Sequence, residues 1–308
     1  MDVLYLAVPS LLVGLVVGLL SGMLGIGGGT ILVPVFKLGY AMSAIASTAT
    51  SLFTVIPTSV SGAIAHVRNK TCLPKLGIAM GIAGALTSPF GVWLASISPD
   101  WLIMLMAAIA IGYSSVTMLM KALRRAPAKS GEPSASQAAK NMAAKDADAA
   151  GESGTAANAL STAAAGESNA AASSAVCPAQ GVEVTRRMIA MGALIGLIAG
   201  VASGYVGLGG GFLMVPLMLQ LLHTPMKVTS GTSLIAIMIL AVPGVVMQAL
   251  LGNVNWVAGI AVACGSIPGA LLGAKLVANI SERALRLIFG VFLLFAALIL
   301  VLEEVGIV

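Results

Sequence analysis

Eight long apolar runs follow one another along the chain, at about 3–38, 41–65, 72–97, 101–120, 188–222, 228–251, 255–278 and 284–302, separated by short polar breaks. Six of them are 19–26 residues long, which matches the ~20 residues a helix needs to cross a ~30 Å hydrocarbon core. The other two are too long. A continuous helix over 3–38 would run to about 54 Å, and 188–222 is nearly as long, so each must break or fold back. The expected fold is an all-α polytopic membrane protein of two halves, each with about four hydrophobic segments, the first of them broken. The opening Met1-Asp2-Val3 lacks the positive charge of a secretory signal, so the first run is expected to remain as a membrane element.

One stretch breaks the pattern. Between Leu123 and Arg187 the chain turns to Ala, Ser, Gly, Glu and Lys with almost no large apolar residue. Such a segment buries too little surface to offset its ordering entropy. The expected organisation is therefore a membrane repeat over 1–122, a disordered linker over 123–186, with a short Ala-rich helix as the alternative, and a second membrane repeat over 187–308.

Composition agrees: 58% of the 308 residues are hydrophobic and 9% charged, against about 25% charged in a soluble domain. The net charge of +5 does not point to nucleic acid, because the charges sit at the ends of apolar runs. Cys72, Cys177 and Cys264 are too scattered for a disulfide framework or a metal site.

The two halves are copies. Ser21-Gly-Met-Leu-Gly-Ile-Gly-Gly-Gly-Thr-Ile-Leu-Val-Pro34 aligns with Ser203-Gly-Tyr-Val-Gly-Leu-Gly-Gly-Gly-Phe-Leu-Met-Val-Pro216 at an offset of 182, and Thr50-Ser51 meets Thr232-Ser233 at the same offset. A stray glycine run would not recur in register. Positive charge then orients each copy. Arg68, Lys70 and Lys75 lie between the second and third runs, and the linker is rich in Lys and Arg. The counterpart loop Leu251-Gly-Asn-Val-Asn-Trp256 has none, while Lys275, Arg283 and Arg286 precede the last run. The sign pattern reverses, which predicts inverted repeats with 66–75 and the linker in the cytoplasm. Inversion needs an odd number of crossings per half, and the over-long first run supplies it by crossing and returning, or by re-entering.

Gly25-Ile-Gly-Gly-Gly29 and Gly207-Leu-Gly-Gly-Gly211 are where those runs must break. Irregular backbone inside a membrane has to be buried in protein or line a wet cavity, and in secondary transporters such breaks meet near the midplane. The helix restarting at Thr30 would aim its amides back at the gap and attract an anion. A dinucleotide-binding turn is the competing reading of the glycines, but Thr30 and Phe212 stand where its third Gly belongs. Gly14, Gly18 and Gly22, with Gly196, Gly200 and Gly204, have the spacing of close helix packing. Thr50, Ser51, Thr232 and Ser233 can reach the breaks if the helices are adjacent; alternatively they bond a neighbouring helix or their own backbone. All eleven acidic residues fall in termini, loops or the linker, so the spans offer no carboxylate for general acid–base catalysis, a metal or a cation. The expectation is no enzyme, no metal and no cofactor.

The doubled Gly-x-Gly-Gly-Gly-x-x-x-x-Pro signature, at Gly25–Pro34 and Gly207–Pro216, each followed by Thr-Ser, resembles the sulfite exporter TauE/SafE family. The resemblance spans both membrane halves, and it implies a multi-pass transporter of the bacterial cytoplasmic membrane that moves a sulfur-containing anion such as sulfite or an organosulfonate. The long Ala/Ser-rich linker departs from the shorter connections of that family. The expected binding residues are Gly25, Gly27, Gly28, Gly29, Thr30, Thr50 and Ser51 with Gly207, Gly209, Gly210, Gly211, Thr232 and Ser233. Expected partners are the anion, the lipid bilayer and a coupling ion, proton or sodium. A non-transporting membrane scaffold and an anion channel are the alternatives.

Overall fold

In the computed structural model, residues 2–124 and 186–304 are described, and the linker expected over 123–186 lies outside them except at its two ends. Every regular element among the described residues is helical. In the first half these are α1 (Asp2–Leu24), α2 (Gly29–Pro34), α3 (Ala44–Arg68), α4 (Pro74–Ile97) and α5 (Asp100–Arg124). The second half contains α6 (Arg186–Val206), α7 (Gly211–Leu217), α8 (Met226–Leu250), α9 (Trp256–Leu276) and α10 (Glu282–Glu304). Wider π turns, Val35–Gly39 and Met218–Leu222, extend α2 and α7. The offset of 182 carries the starts of α3, α4 and α5 onto those of α8, α9 and α10.

Seven of these helices, α3 to α6 and α8 to α10, are long and apolar enough to cross a membrane. The surface has the composition a bilayer requires. Leu86, Leu250 and Val257 are each more than 70% exposed, while the hydroxyls of Ser47, Ser51, Thr54, Thr58, Ser230 and Ser233 are buried. Exposed apolar surface on this scale is unfavourable in water and neutral in lipid. Acidic side chains sit at helix starts, Asp100 on α5 and Glu282 on α10, where they complement the helix dipole.

The helix ends explain the tight turns. Ser43 Oγ accepts the Ala46 N–H to cap α3, and Asn255 Oδ1 accepts the Ala258 N–H to cap α9. At the far ends, Lys70 and Gly252 occupy counterpart positions with φ 52° and 72°. These left-handed residues let Thr71 N–H reach the His66 carbonyl at 3.0 Å and Asn253 N–H reach the Gln248 carbonyl at 3.1 Å, closing both helices in the same way.

Residues 2–122 and 186–304 belong to one compact unit, and the two halves interlock within it by exchanging partners. Helix α1 packs on α9 of the second half, and α6 packs on α4 of the first. Glycine is what lets them touch. A Cβ on Gly14, Gly18 or Gly22 would stand 2.2 Å from the carbonyl oxygens of Val262, Ser266 and Ala270 in turn, and Gly196, Gly200 and Gly204 meet Met80, Gly84 and Ser88 at 2.1–2.3 Å. Backbone lies on backbone, as small-residue spacing permits.

The same contacts give the helix directions. Because Gly14, Gly18 and Gly22 meet Val262, Ser266 and Ala270 in ascending order, α1 runs parallel to α9, and by the same reasoning α6 runs parallel to α4. At the centre α3 and α8 cross antiparallel, with Gly62 against Leu234 and Gly244 against Leu52. Short turns reverse α3 into α4 and α8 into α9. Helices α1, α3 and α4 of the first half therefore run opposite to their counterparts α6, α8 and α9 in the second. Helix α3 is parallel to α9, since Thr50, Thr58 and Ser61 contact Asn255, Ser266 and Ile267 in order. Helices α1 and α3 thus point the same way. The chain between them comes back along α2, and Tyr40 at its end hydrogen-bonds Ser10 near the start of α1.

Candidate functional site

Helix α1 ends where its glycines begin. Gly25 N–H still donates to the Ser21 carbonyl at 2.8 Å, and then Gly25, Gly27 and Gly28 take φ of 74°, 79° and 86°. Gly207, Gly209 and Gly210 repeat this at 72°, 76° and 73°, after a 2.8 Å bond from Gly207 N–H to Ser203. A side chain at these φ values costs roughly 1–2 kcal/mol, so only glycine makes the turn cheaply. Gly28 and Gly210 then cap the returning helices, their carbonyls accepting from Ile31 and Leu32 and from Leu213 and Met214 at 3.0–3.2 Å.

The two breaks meet. A Cβ on Gly29 would lie 2.5 Å from the Leu208 carbonyl oxygen, and one on Gly211 would lie 2.7 Å from the backbone of Ile26. Gly27 and Gly209 both face Val55 of α3 and Ile237 of α8, which are themselves counterparts at the crossing. Every residue from Ser21 to Thr30 and from Ser203 to Phe212 is buried. Among the described residues, the N–H groups of Gly27, Gly28, Gly29, Gly209, Gly210 and Gly211 find no hydrogen-bond acceptor. Buried amides need partners, and unpaired amides grouped at two meeting turns are candidate donors.

The hydroxyls expected at the site divide by role. Ser51 Oγ donates to the Gly207 carbonyl at 2.6 Å, and Ser233 Oγ to the Gly25 carbonyl at 2.7 Å. Each half's serine holds the other half's break. A hydroxyl has one proton, so neither has a proton free for a ligand oxygen while these bonds last. Thr50 and Thr232 are not brought to the glycines. Thr50 Oγ1 accepts the Asn255 N–H and Thr232 Oγ1 accepts the Leu73 N–H, each at 3.0 Å, which ties down the turn that enters the other half's third segment. Thr54 and Thr58 bond the carbonyls four residues back.

Other hydroxyls at the breaks have no partner: Ser21, Thr30 and Ser59 in the first half, and Ser203 in the second. Thr30 was expected at the site; Ser21, Ser59 and Ser203 were not. Ser59 was legible, because Ser47, Ser51, Val55 and Ser59 form one row of α3 at a spacing of four.

His66 fixes the cytoplasm-facing shoulder predicted for α3, its Nε2–H donating to the Gly22 carbonyl at 2.9 Å while Nδ1 meets Thr71 Oγ1 at 2.8 Å. Among the residues whose burial is described, His66 is the one titratable side chain with no exposure, and no Asp, Glu, Lys or Arg is buried. No group of three His, Cys, Asp or Glu among them is placed to hold a metal. Any charge bound at the breaks would have to be balanced by dipoles alone.

Comparison with known proteins decides the lineage. The family model for the sulfite exporter TauE/SafE matches residues 10–300. The chain belongs to the TauE/SafE family. Among the relatives of this TauE/SafE protein are two from Bacillus subtilis. One, the probable membrane transporter protein YunE, is 27% identical over 88% of this chain and 86% of its own. The other, the probable membrane transporter protein YdhB, is 26% identical over 86% of this chain and 88% of its own. A probable membrane transporter protein of Methanocaldococcus jannaschii is 30% identical over 34% of the chain. No solved structure matches. Like the family, this TauE/SafE member is a multi-pass membrane transporter, and the family is not a class of enzymes.

Proposed function

We propose that this protein exports a small sulfur-containing oxyanion, sulfite or an organosulfonate, across a bacterial cytoplasmic membrane by alternating access, with the anion bound between the paired glycine breaks. The observation that carries this is the meeting of two buried breaks whose amides lack acceptors, with no charged side chain buried among the residues whose burial is described. Oriented amides favour an anion, and a low-dielectric setting strengthens the preference. The family's name and the relatives' names support a transporter of this kind.

The two halves act as inverted repeats. Support comes from the opposite directions of counterpart helices together with the reversed placement of positive charge. Each first segment enters and returns, leaving three crossings per half, with 66–75 and the linker in the cytoplasm. The buried breaks correspond to an occluded state, and a rearrangement of the interlocked halves opens it to either side. A proton or sodium gradient drives the cycle.

Flux of sulfite, methanesulfonate and sulfate in proteoliposomes, with and without each gradient, tests the reading. Wild type is expected to give saturable flux of a sulfur oxyanion, and Gly28→Ala to lower it about tenfold or more, because a side chain at φ 86° strains the turn by roughly 1–2 kcal/mol and displaces its amides. Linear, non-saturating flux would replace the transporter with a channel. Undiminished flux through a well-folded Gly28→Ala protein would remove the site.

A further inference from the structure

The two halves match closely in backbone, yet their breaks differ in chemistry. At the first break three buried hydroxyls lack partners, those of Ser21, Thr30 and Ser59. Ser59 Oγ lies 3.2 Å from where a Cβ on Gly27 would stand, and Ser21 Oγ 3.8 Å from the corresponding point at Gly28. Thr30 follows Gly29 directly and is fully buried. At the second break the counterpart of Thr30 is Phe212, whose ring is fully buried, and the counterpart of Ser59 is Ala241. Only Ser203 keeps the hydroxyl of its counterpart Ser21, and its hydroxyl also lacks a partner.

We infer that the transport site is single and asymmetric: the oxyanion is seated at the first break by the hydroxyls of Ser21, Thr30 and Ser59 and the amides of Gly27–Gly29, while the second break is a structural partner. This rests on the anion-site reading above and narrows it to one of the two loops. The physical argument is the cost of an unpartnered buried hydroxyl. Each such group forfeits its hydrogen bonds to water; Ser47, Ser88 and Ser114 are also unpartnered, and what sets Ser21, Thr30 and Ser59 apart is their grouping around one break, as expected where something that accepts hydrogen bonds visits. Three hydroxyl donors suit a head group with three oxygens, which sulfite and a sulfonate share. At the counterpart positions the second break offers one hydroxyl, with a phenyl ring and a methyl group in place of the other two, and cannot satisfy such a head group equally. The asymmetry also gives the site one seat, so the chain carries one anion per cycle.

The test is equilibrium binding of radiolabelled sulfite to the purified full-length protein in detergent, with methanesulfonate as a second probe. Variants are Ser59→Ala, Ser21→Ala, Ser203→Ala and the exchange Ser59→Ala with Ala241→Ser, each verified as monodisperse and thermally intact. The expected results are one equivalent bound by wild type, about tenfold weaker binding in Ser59→Ala and Ser21→Ala, a change within about twofold in Ser203→Ala, and no recovery in the exchange. Two equivalents, or equal losses in Ser203→Ala and Ser59→Ala, overturn the asymmetry while leaving the paired breaks as an anion site. Wild-type binding that neither the serine variants nor Gly28→Ala weaken overturns the anion-site reading itself, as does a wild type that binds neither probe.

Discussion

Ser51 on α3 donates its hydroxyl proton to the carbonyl of Gly207 in the opposite half at 2.6 Å, and Ser233 on α8 returns the bond to Gly25 at 2.7 Å. Each carbonyl is one that a helix gave up by breaking, so the serines replace the lost ladder bonds. Ser51→Ala and Ser233→Ala should each cost about 1 kcal/mol, between the ~0.6 typical of interhelical bonds in membranes and the ~1–3 for orphaning a buried acceptor. Thermal denaturation in detergent should show each variant melting roughly 2–4 °C lower. An unchanged melting point in both would mean that the breaks are held by packing alone.

Much of this arrangement is visible in the chain itself, and the reason is geometric. Helix count, the break at Gly25–Gly29 and its copy follow from run length and a fixed offset, because 1.5 Å per residue leaves no other way to fit 3–38 into a bilayer. The partners of hydroxyls are another matter. Ser51 and Thr50 are neighbours in sequence but point about 100° apart on α3, so one reaches Gly207 and the other Asn255. The face that meets the second half is set by how α3 crosses α8, which residue spacing within one half does not encode. For the same reason Ser59, and not its neighbour Thr58, lies beside Gly27.

Glycines that look alike should respond oppositely to alanine. At Gly18 a Cβ would meet the Ser266 carbonyl oxygen at 2.2 Å, and backbone cannot move aside as a side chain can. Gly18→Ala should force α1 from α9 and destabilise by about 3 kcal/mol. Gly112, inside α5, has nothing within 4 Å of its would-be Cβ. Gly112→Ala should stabilise by roughly 0.5–1 kcal/mol, the helical preference of Ala over Gly. Unfolding in mixed micelles measures both, and equal effects of the two substitutions would contradict the packing described.

Cys72 lies in the turn between α3 and α4, and burial pushes its thiol up to about 11. Raising the value of a thiol favours the neutral form, so near pH 8 about one molecule in a thousand carries the reactive thiolate. In a Cys177→Ala, Cys264→Ala background, maleimide labelling at Cys72 should be slow at pH 7 and accelerate about tenfold per unit toward pH 10. Fast labelling that is independent of pH would show the turn to be open.

That slow thiol makes Cys72 a poor reporter of sidedness, and two exposed positions serve better. Asn69 and Leu251 are counterparts at the offset of 182, each just past the end of its helix, α3 or α8, and both are exposed. Because α3 and α8 cross antiparallel, these ends emerge on opposite faces of the helical layer. Arg68, Lys70 and Lys75 cluster at the first and no positive charge accompanies the second, so the proposed topology puts the first in the cytoplasm. With Cys72→Ser, Cys177→Ala and Cys264→Ala in place, Asn69→Cys should be protected from an impermeant maleimide applied to intact cells and labelled after permeabilisation, whereas Leu251→Cys should label from outside. If both react from the same side, the halves are not inverted, alternating access by exchange of equivalent repeats loses its basis, and the single seat at the first break would need another way to face each compartment.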